Sequence, residues 1–225
     1  MPRYLLSLLM CLPMLAQAEF AAAEEVSLQD TKQLIVNGPV QVRLTHGSES
    51  RIEFDGADIS LAQNNNTVTL SATTATIVLV VLSDLESLVV QDGQLIIKVD
   101  GYQRVTLGSI AAPEVRLQLM GQGRFDAGRL TTEHLQVALE EQGKASLRHV
   151  EADLFELDMT DHGDMDVAGS ARQQEVELSG YAHYDAKAMT SDKATVALDD
   201  YAAGLIQAKN LPVVNAAPYT LLSAR

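Results

Sequence analysis

The residues of this chain best suited to chemistry stand nineteen or twenty positions apart. One series reads Arg124, Lys144, Asp164 and His183; two residues further along, a second reads Asp126, Ser146, Asp166 and Asp185. If successive segments of this length stack as strands, each series becomes a ladder with rungs roughly 4.8 Å apart. His183 then stands over Asp164 and beside Asp185, with Lys144 one rung away. A histidine between carboxylates can move a proton and a nearby lysine can steady negative charge, which are the parts a polysaccharide lyase or hydrolase needs. A hydrated strand face carries the same residues for a plainer reason, because opposed cross-strand charges contribute a few tenths to about 1 kcal/mol per pair. The sequence therefore marks Lys144, Asp164, Asp166, His183 and Asp185 as a candidate ligand-binding face and assigns no catalytic residue.

A second set gathers where each segment bends. Gln122, Gln142, His162, Tyr181 and Tyr201 form one column, with Glu140, Glu141, Asp161, Asp199 and Asp200 beside it. Carboxylates in adjacent rungs repel unless they splay into water or share a cation, and oxygen clusters of this kind suit Ca²⁺. The spacing matches no calcium-binding loop, so a solvated acidic edge is the favoured expectation and no metal or cofactor is assigned. His46, His134 and His149 stand alone at predicted turns. Gly-x-Gly at 121 to 123 falls in a β corner, not between a strand and a helix, and is no dinucleotide fingerprint.

The elements that must hold these residues follow from the period itself. From Val115 the windows VRLQLMGQGRFDAG, LQVALEEQGKASLR, FELDMTDHGDMDVA, QEVELSGYAHYDAK and TVALDDYAAGLIQA align with Gly123, Gly143, Gly163, Ala182 and Ala202 in one column. Each is an alternation, a bend at small residues, then a second alternation. A unit this short cannot bury its apolar face alone, so the copies must stack around a shared core, as in a solenoid. The inward residues of the first strand are then Leu117, Leu119, Val137, Leu139, Leu157, Met159, Val176, Leu178, Val196 and Leu198. On the second they are Phe125, Ala127, Ala145, Leu147, Met165, Val167, Tyr184 and Ala186. Gly121, Gly123, Gly143 and Gly163 form the expected structural corner, where absence of a Cβ lets the chain turn tightly between neighbouring rungs.

The expected class is all-β: a single-domain parallel β-helix or β-solenoid with rungs of about 20 residues in the C-terminal half and a less regular β N-terminal half. Short alternating strands flank Asn37-Gly38-Pro39, Asp55-Gly56 and Asn64-Asn65-Asn66, whereas Ile77 to Leu82 and Leu95 to Val99 are continuous apolar runs, as strands buried on both faces would be. Residues 24 to 113 read either as irregular rungs or as an antiparallel cap, which an open solenoid end requires.

Residues 1–18 read as a secretory signal peptide, with Arg3, an apolar run from Tyr4 to Leu15, and Ala16-Gln17-Ala18 before the cut; a cut after Ala23 is the alternative. The domain is expected over 24–213, with a C-terminal tail at 214–225. Removing the signal takes away Cys11, the one cysteine, and Arg3, leaving 15 basic and 30 acidic side chains and a net charge of −15. Export without disulfides points to the bacterial periplasm or cell exterior. The charge repels nucleic acid and anionic membranes, and no segment after residue 18 is apolar and long enough to span a bilayer as a helix. With no tryptophan and 4% aromatic residues, sugar-stacking platforms are expected to be sparse.

The opening QLIVNGPVQVRLTHGSESRIEFDG, an alternating apolar stretch, and repeats built on L-x-G-x-G such as LMGQGRFDAG and the weakened LSGYAHYDAK resemble the bacterial head GIN domain, named as an autotransporter adhesin head. The resemblance spans roughly Lys32 to Ala208, with the family's Ser-Gly-Ser-Gly motif degraded to MGQG, EEQG, TDHG, SGYA and DDYA. It implies a β-helical exported domain and brings no catalytic residues. The expected function is a non-enzymatic interaction or adhesion module of the cell envelope with an envelope protein or glycan as partner. A carbohydrate-active enzyme and a structural envelope scaffold are the alternatives, and a homo-oligomer stays open.

Overall fold

Alternating apolar residues give each strand one dry and one wet face, and this chain buries the dry faces by coiling them around a common core. The computed structural model describes residues 24–27, 31–38, 40–46, 51–54, 59–64, 66–73, 76–82, 87–99, 101–102, 104–216 and 221–224. The stretch expected as a signal peptide lies outside the described residues. All-β, with no helix among the described residues, the structure is a β-solenoid of about six turns at roughly 20-residue spacing.

The regular part comprises β10 (Arg104–Ala111) with β11 (Glu114–Leu119), then the long strands β12 (Arg124–Leu139), β13 (Lys144–Met159), β14 (Asp164–Leu178) and β15 (His183–Leu198), and finally β16 (Ala203–Asn210) with β17 (Val213–Ala216). Every neighbouring pair in this stack is parallel and in register: Arg104, Arg124, Lys144, Asp164, His183 and Ala203 stand opposite one another in turn. Leu119, Leu139, Met159, Leu178 and Leu198 do the same at the far end of each coil. All the inward positions expected from the alternation are buried, at 4% exposure or less. Register shifts fall midway, as between Leu147 and Val150, where the two halves of a coil meet. In the segment expected as a tail, β17 pairs with β15, and β18 (Leu221–Ala224) pairs with β16.

The N-terminal half is both irregular rungs and cap. It holds β1 (Glu24–Ser27), β2 (Gln33–Asn37), β3 (Val40–His46), β4 (Arg51–Phe54), β5 (Ile59–Asn64), β6 (Thr67–Ala72), β7 (Thr76–Leu82), β8 (Ser87–Val90) and β9 (Gly93–Val99). The coil β2–β3 lies between β6–β7 on one side and β8–β9 on the other, with all four contacts parallel, so spatial order departs from chain order. β8–β9 then stacks on β10–β11. On the outer side of β6–β7, β5 and β4 pair antiparallel, and β1 pairs antiparallel with β4. These reversed strands occupy the backbone edge that an open solenoid end would present.

The apolar run at Leu95 to Val99 is not buried on both faces. Leu95, Ile97 and Val99 are buried while Lys98 is exposed, because β9 is an ordinary rung with one wet face. The side chains of the Ile77–Leu82 run lie outside the described residues.

Candidate functional site

The tight corner is built differently from the glycine column expected of it. The left-handed residue of each bend stands two positions before that column: Gly101, Gly121, Glu141, Asp161, Gly180 and Asp200 have φ between 56° and 75°. A Cβ in this conformation costs roughly 1–2 kcal/mol, and Asp tolerates it better than most residues because its short polar side chain bonds locally. The Asp200 Oδ2 reaches instead to the rung below, accepting the Gly180 N–H at 3.3 Å. Gly123, Gly143 and Gly163 have ordinary backbone and are small for lack of room. A Cβ on Gly143 would lie 3.1 Å from the Leu119 Cβ, and the column's later members, Ala182 and Ala202, are buried.

This geometry explains much of the acidic edge. Glu141, Asp161 and Asp200 occupy the turn position of their rungs, and the carbonyls of Glu141 and Asp161 accept the N–H groups of His162 and Tyr181 from the next rung. Among the described residues no three His, Cys, Asp or Glu side chains are grouped to hold a metal ion.

Those backbone bonds bring the next column into stacking contact. His162 lies 5.0 Å from Tyr181 with ring planes 20° apart, and Tyr181 lies 5.0 Å from Tyr201 with planes 4° apart. Both tyrosines are exposed, as is Tyr102 one turn beyond Gln122. The exposed tyrosines Tyr102, Tyr181 and Tyr201 thus share one edge, while Phe54, Phe125, Phe155 and Tyr184 are buried in the core. The stacked faces of His162, Tyr181 and Tyr201 are spent on one another, so the strip presents mainly ring edges and hydroxyls to solvent.

The candidate binding face forms the ladder expected of it. Lys144 Nζ lies 3.4 Å from Asp164 Oδ2, and His183 Nδ1 lies 3.2 Å from Asp164 Oδ1. Asp185 is bound by a residue the sequence reasoning did not single out, Lys187, whose Nζ donates at 2.6 Å and whose backbone N–H donates at 3.1 Å. The Lys187 hydrogen bond holds the Asp185 carboxyl below its ordinary pKa, and Asp185 in turn raises that of Lys187. Asp166 is exposed between these pairs.

The column also continues one rung further than expected. Arg104 stands in register below Arg124, and both guanidiniums close on Asp126: Arg104 Nη2 at 2.8 Å and Arg124 Nε at 3.0 Å. Asp126 is only 8% exposed. Burial pushes its carboxyl pKa up, but the hydrogen bonds and charges of Arg124 and Arg104 together outweigh that and hold it below the ordinary value. The signal was present in the sequence, since DGYQRVTLG repeats the spacing of MGQGRFDAG with Gly101, Arg104 and Gly108 in place of Gly121, Arg124 and Gly128.

His134 and His149 are not isolated turn residues. They lie in β12 and β13, where His134 Nε2 is 2.7 Å from Glu156 and His149 Nε2 is 2.9 Å from Glu151. Glu156, which also accepts from Gln136 at 2.5 Å, belongs to a groove of about 310 Å³ on the opposite outer face, lined by Arg116, Gln136, Ala138, Asp158 and Glu175 among others. The ladder face does not line this groove.

Stacked coils extend over most of the described residues, and the chain matches the family described as "Putative auto-transporter adhesin, head GIN domain" over residues 30–209. It belongs to the head GIN domain family. Similar solved structures include a "putative adhesin" of Parabacteroides merdae, at 12% identity over 91% of this chain and 95% of that one with a TM-score of 0.45. Another, a "putative adhesin" of Bacteroides fragilis, has 14% identity over 90% and 95% with a TM-score of 0.39. A "putative lipid binding protein" of Parabacteroides distasonis has 11% identity over 90% and 93% with a TM-score of 0.43. No curated protein matches the chain. Among the described residues of this GIN-domain chain, no helix is long and apolar enough to cross a membrane.

Proposed function

We propose that the chain is an exported, non-enzymatic interaction module of the bacterial cell envelope, delivered to the periplasm or cell exterior by residues 1–18 and binding an envelope protein or glycan through the outer face of its coils. The observation that carries this reading is the state of the candidate face. On it, Lys144, Asp164 and His183 are exposed and satisfy one another, and the largely covered Asp185 is held by Lys187. A catalyst needs an acid or base aimed at a space where substrate can sit. A stiff, in-register array of side chains instead suits recognition, because the backbone ladder fixes each position before the partner arrives. Membership of an adhesin-type family supports the same assignment.

The test is saturable binding of the purified mature protein to isolated cell envelopes and to purified surface glycans. Saturation with competition by unlabelled protein is the expected result. Retention no greater than that of an unrelated acidic protein, on every envelope fraction, would overturn the proposal.

A further inference from the structure

In a chain whose net charge is −14, three cations stand in line. Arg104, Arg124 and Lys144 occupy the same column of three successive coils, in register, with their side chains 64%, 48% and 56% exposed. Rungs roughly 4.8 Å apart would set these charges against one another; Asp126 answers the two arginines and Asp164 answers Lys144 at 3.4 Å. The Asp126 carboxylate is nearly buried and takes both guanidiniums from beneath: Arg104 through Nε and Nη2, Arg124 through Nε and Nη2. The Nη1 groups make no bond to Asp126 and remain as donors. Asp126 thus serves as an anchor that fixes two planar forks on an open face, which lowers the ordering cost of a partner that meets them. Beyond Lys144 the column changes sign at Asp164.

We infer that the Arg104, Arg124 and Lys144 line binds a polysaccharide carrying an anionic group on successive sugars, laid along the solenoid axis with one anion to each cation. The inference rests on the interaction-module reading and names its ligand class. With Nε and Nη2 held by Asp126, the outer Nη1 groups are left to donate charge-assisted hydrogen bonds to carboxylate or phosphate oxygens. The rung spacing is close to the length of one sugar in an extended chain, so a polymer can engage all three cations where a small anion would meet one. The open face accommodates a chain passing through, and engagement at several points supplies avidity that each exposed charge alone lacks. Acidic residues further off than about 8 Å are largely screened at physiological salt; the near ones, Asp164 and Asp166, sit at one end of the line, and an anion of the polymer takes Lys144 by displacing Asp164 from its 3.4 Å contact.

The experiment is retention of the full mature protein on immobilised polygalacturonate, with neutral dextran and a polyphosphate chain as parallel arms, at low and at high salt. The expected result is salt-sensitive binding to polygalacturonate and none to dextran. R104Q/K144Q should weaken that binding at least about tenfold, since each charge-assisted hydrogen bond lost is worth that much. R104Q takes two hydrogen bonds from the buried Asp126 carboxylate, so the double variant should melt lower than the parent while Arg124 keeps it folded at the assay temperature, and K144Q alone, which leaves Asp126 untouched, should weaken binding with the melting curve close to that of the parent; R124K, which keeps the charge but loses the guanidinium, should weaken binding to a smaller degree. Binding undiminished in R104Q/K144Q, equal binding to dextran, tighter binding to polyphosphate, or no binding at low salt would each overturn the inference. Envelope binding that is saturable yet indifferent to R104Q/K144Q would overturn it while leaving the interaction-module reading in place.

Discussion

Replacing Gly143 by valine tests the logic of the stacked corner. Its backbone is not left-handed, so any residue can adopt the conformation, and the penalty must come from space. A Cβ would sit 3.1 Å from the Leu119 Cβ and 3.3 Å from the Leu139 Cδ2, contacts that require a shift of a few tenths of an ångström. Alanine demands only that much, and its loss of unfolded-state freedom returns about 0.4–1 kcal/mol; Ala182 and Ala202 show the column holding a methyl at full burial. Gly143→Ala should therefore lie within about 1 kcal/mol of the parent. Valine adds two further methyl groups against side chains of the rung below and of its own rung, and overpacking of this kind costs about 1–3 kcal/mol. For a domain of this size each kcal/mol moves the melting temperature by about 2–4 °C, so Gly143→Val should melt about 2–12 °C lower. Far-ultraviolet circular dichroism melts of the three proteins decide it. Valine tolerated as well as alanine, or alanine as damaging as valine, would refute the account of this column as limited by space.

Three further outcomes are expected. Gly180→Ala should destabilise more than Gly143→Ala, because its φ is 72° and the new Cβ would lie 2.7 Å from the Asp161 carbonyl oxygen; equal melting temperatures would contradict this. Tyr184→Phe should cost about 1–3 kcal/mol by denaturant titration, since the fully buried Gln174 amide oxygen loses the hydroxyl that donates to it at 3.0 Å, and adding Gln174→Leu should recover most of that loss. Asp126 and Glu156 are both held below their ordinary pKa, despite burial, by hydrogen bonds from Arg124 and Arg104 and from Gln136 and His134 respectively. Their folded values are depressed, so the stability they contribute is present above the unfolded carboxyl range near pH 4 and is lost as pH falls through the folded values. Melting temperature against pH should fall on the acid side, and Arg124→Gln should move the fall at Asp126 to higher pH; an unmoved acid limb would count against the pair.

What the sequence disclosed and what it hid divide along physical lines. Alternation is local, so the inward residues from Leu117 to Leu198 could be read directly, and a period near twenty placed Lys144, Asp164 and His183 in one column before any coordinate did. The placement of β2–β3 between β6–β7 and β8–β9 is a non-local pairing, and no periodic signal in residues 24 to 99 encodes which coil stacks on which. Left-handed backbone at Glu141 and Asp161 was masked by the neighbouring glycines, which draw attention as the usual occupants of tight turns although their role here is to be small. The column His162, Tyr181 and Tyr201 could be read from the period, but its stacking could not, because ring orientation depends on side-chain torsions that spacing does not encode. Arg104 escaped because Pro113 interrupts the alternation between β10 and β11, which made the first regular coil look like part of the irregular half.

The central claim is that this face recognises a partner and does not transform it. The direct measurement is incubation of the purified mature protein with envelope and extracellular polysaccharides, following new reducing ends and unsaturated products over time, with Asp166→Asn combined with His183→Asn as the control. The account predicts no turnover by either protein, with the fold unchanged in the variant. Reproducible product formation by the parent that disappears in the double variant would contradict it.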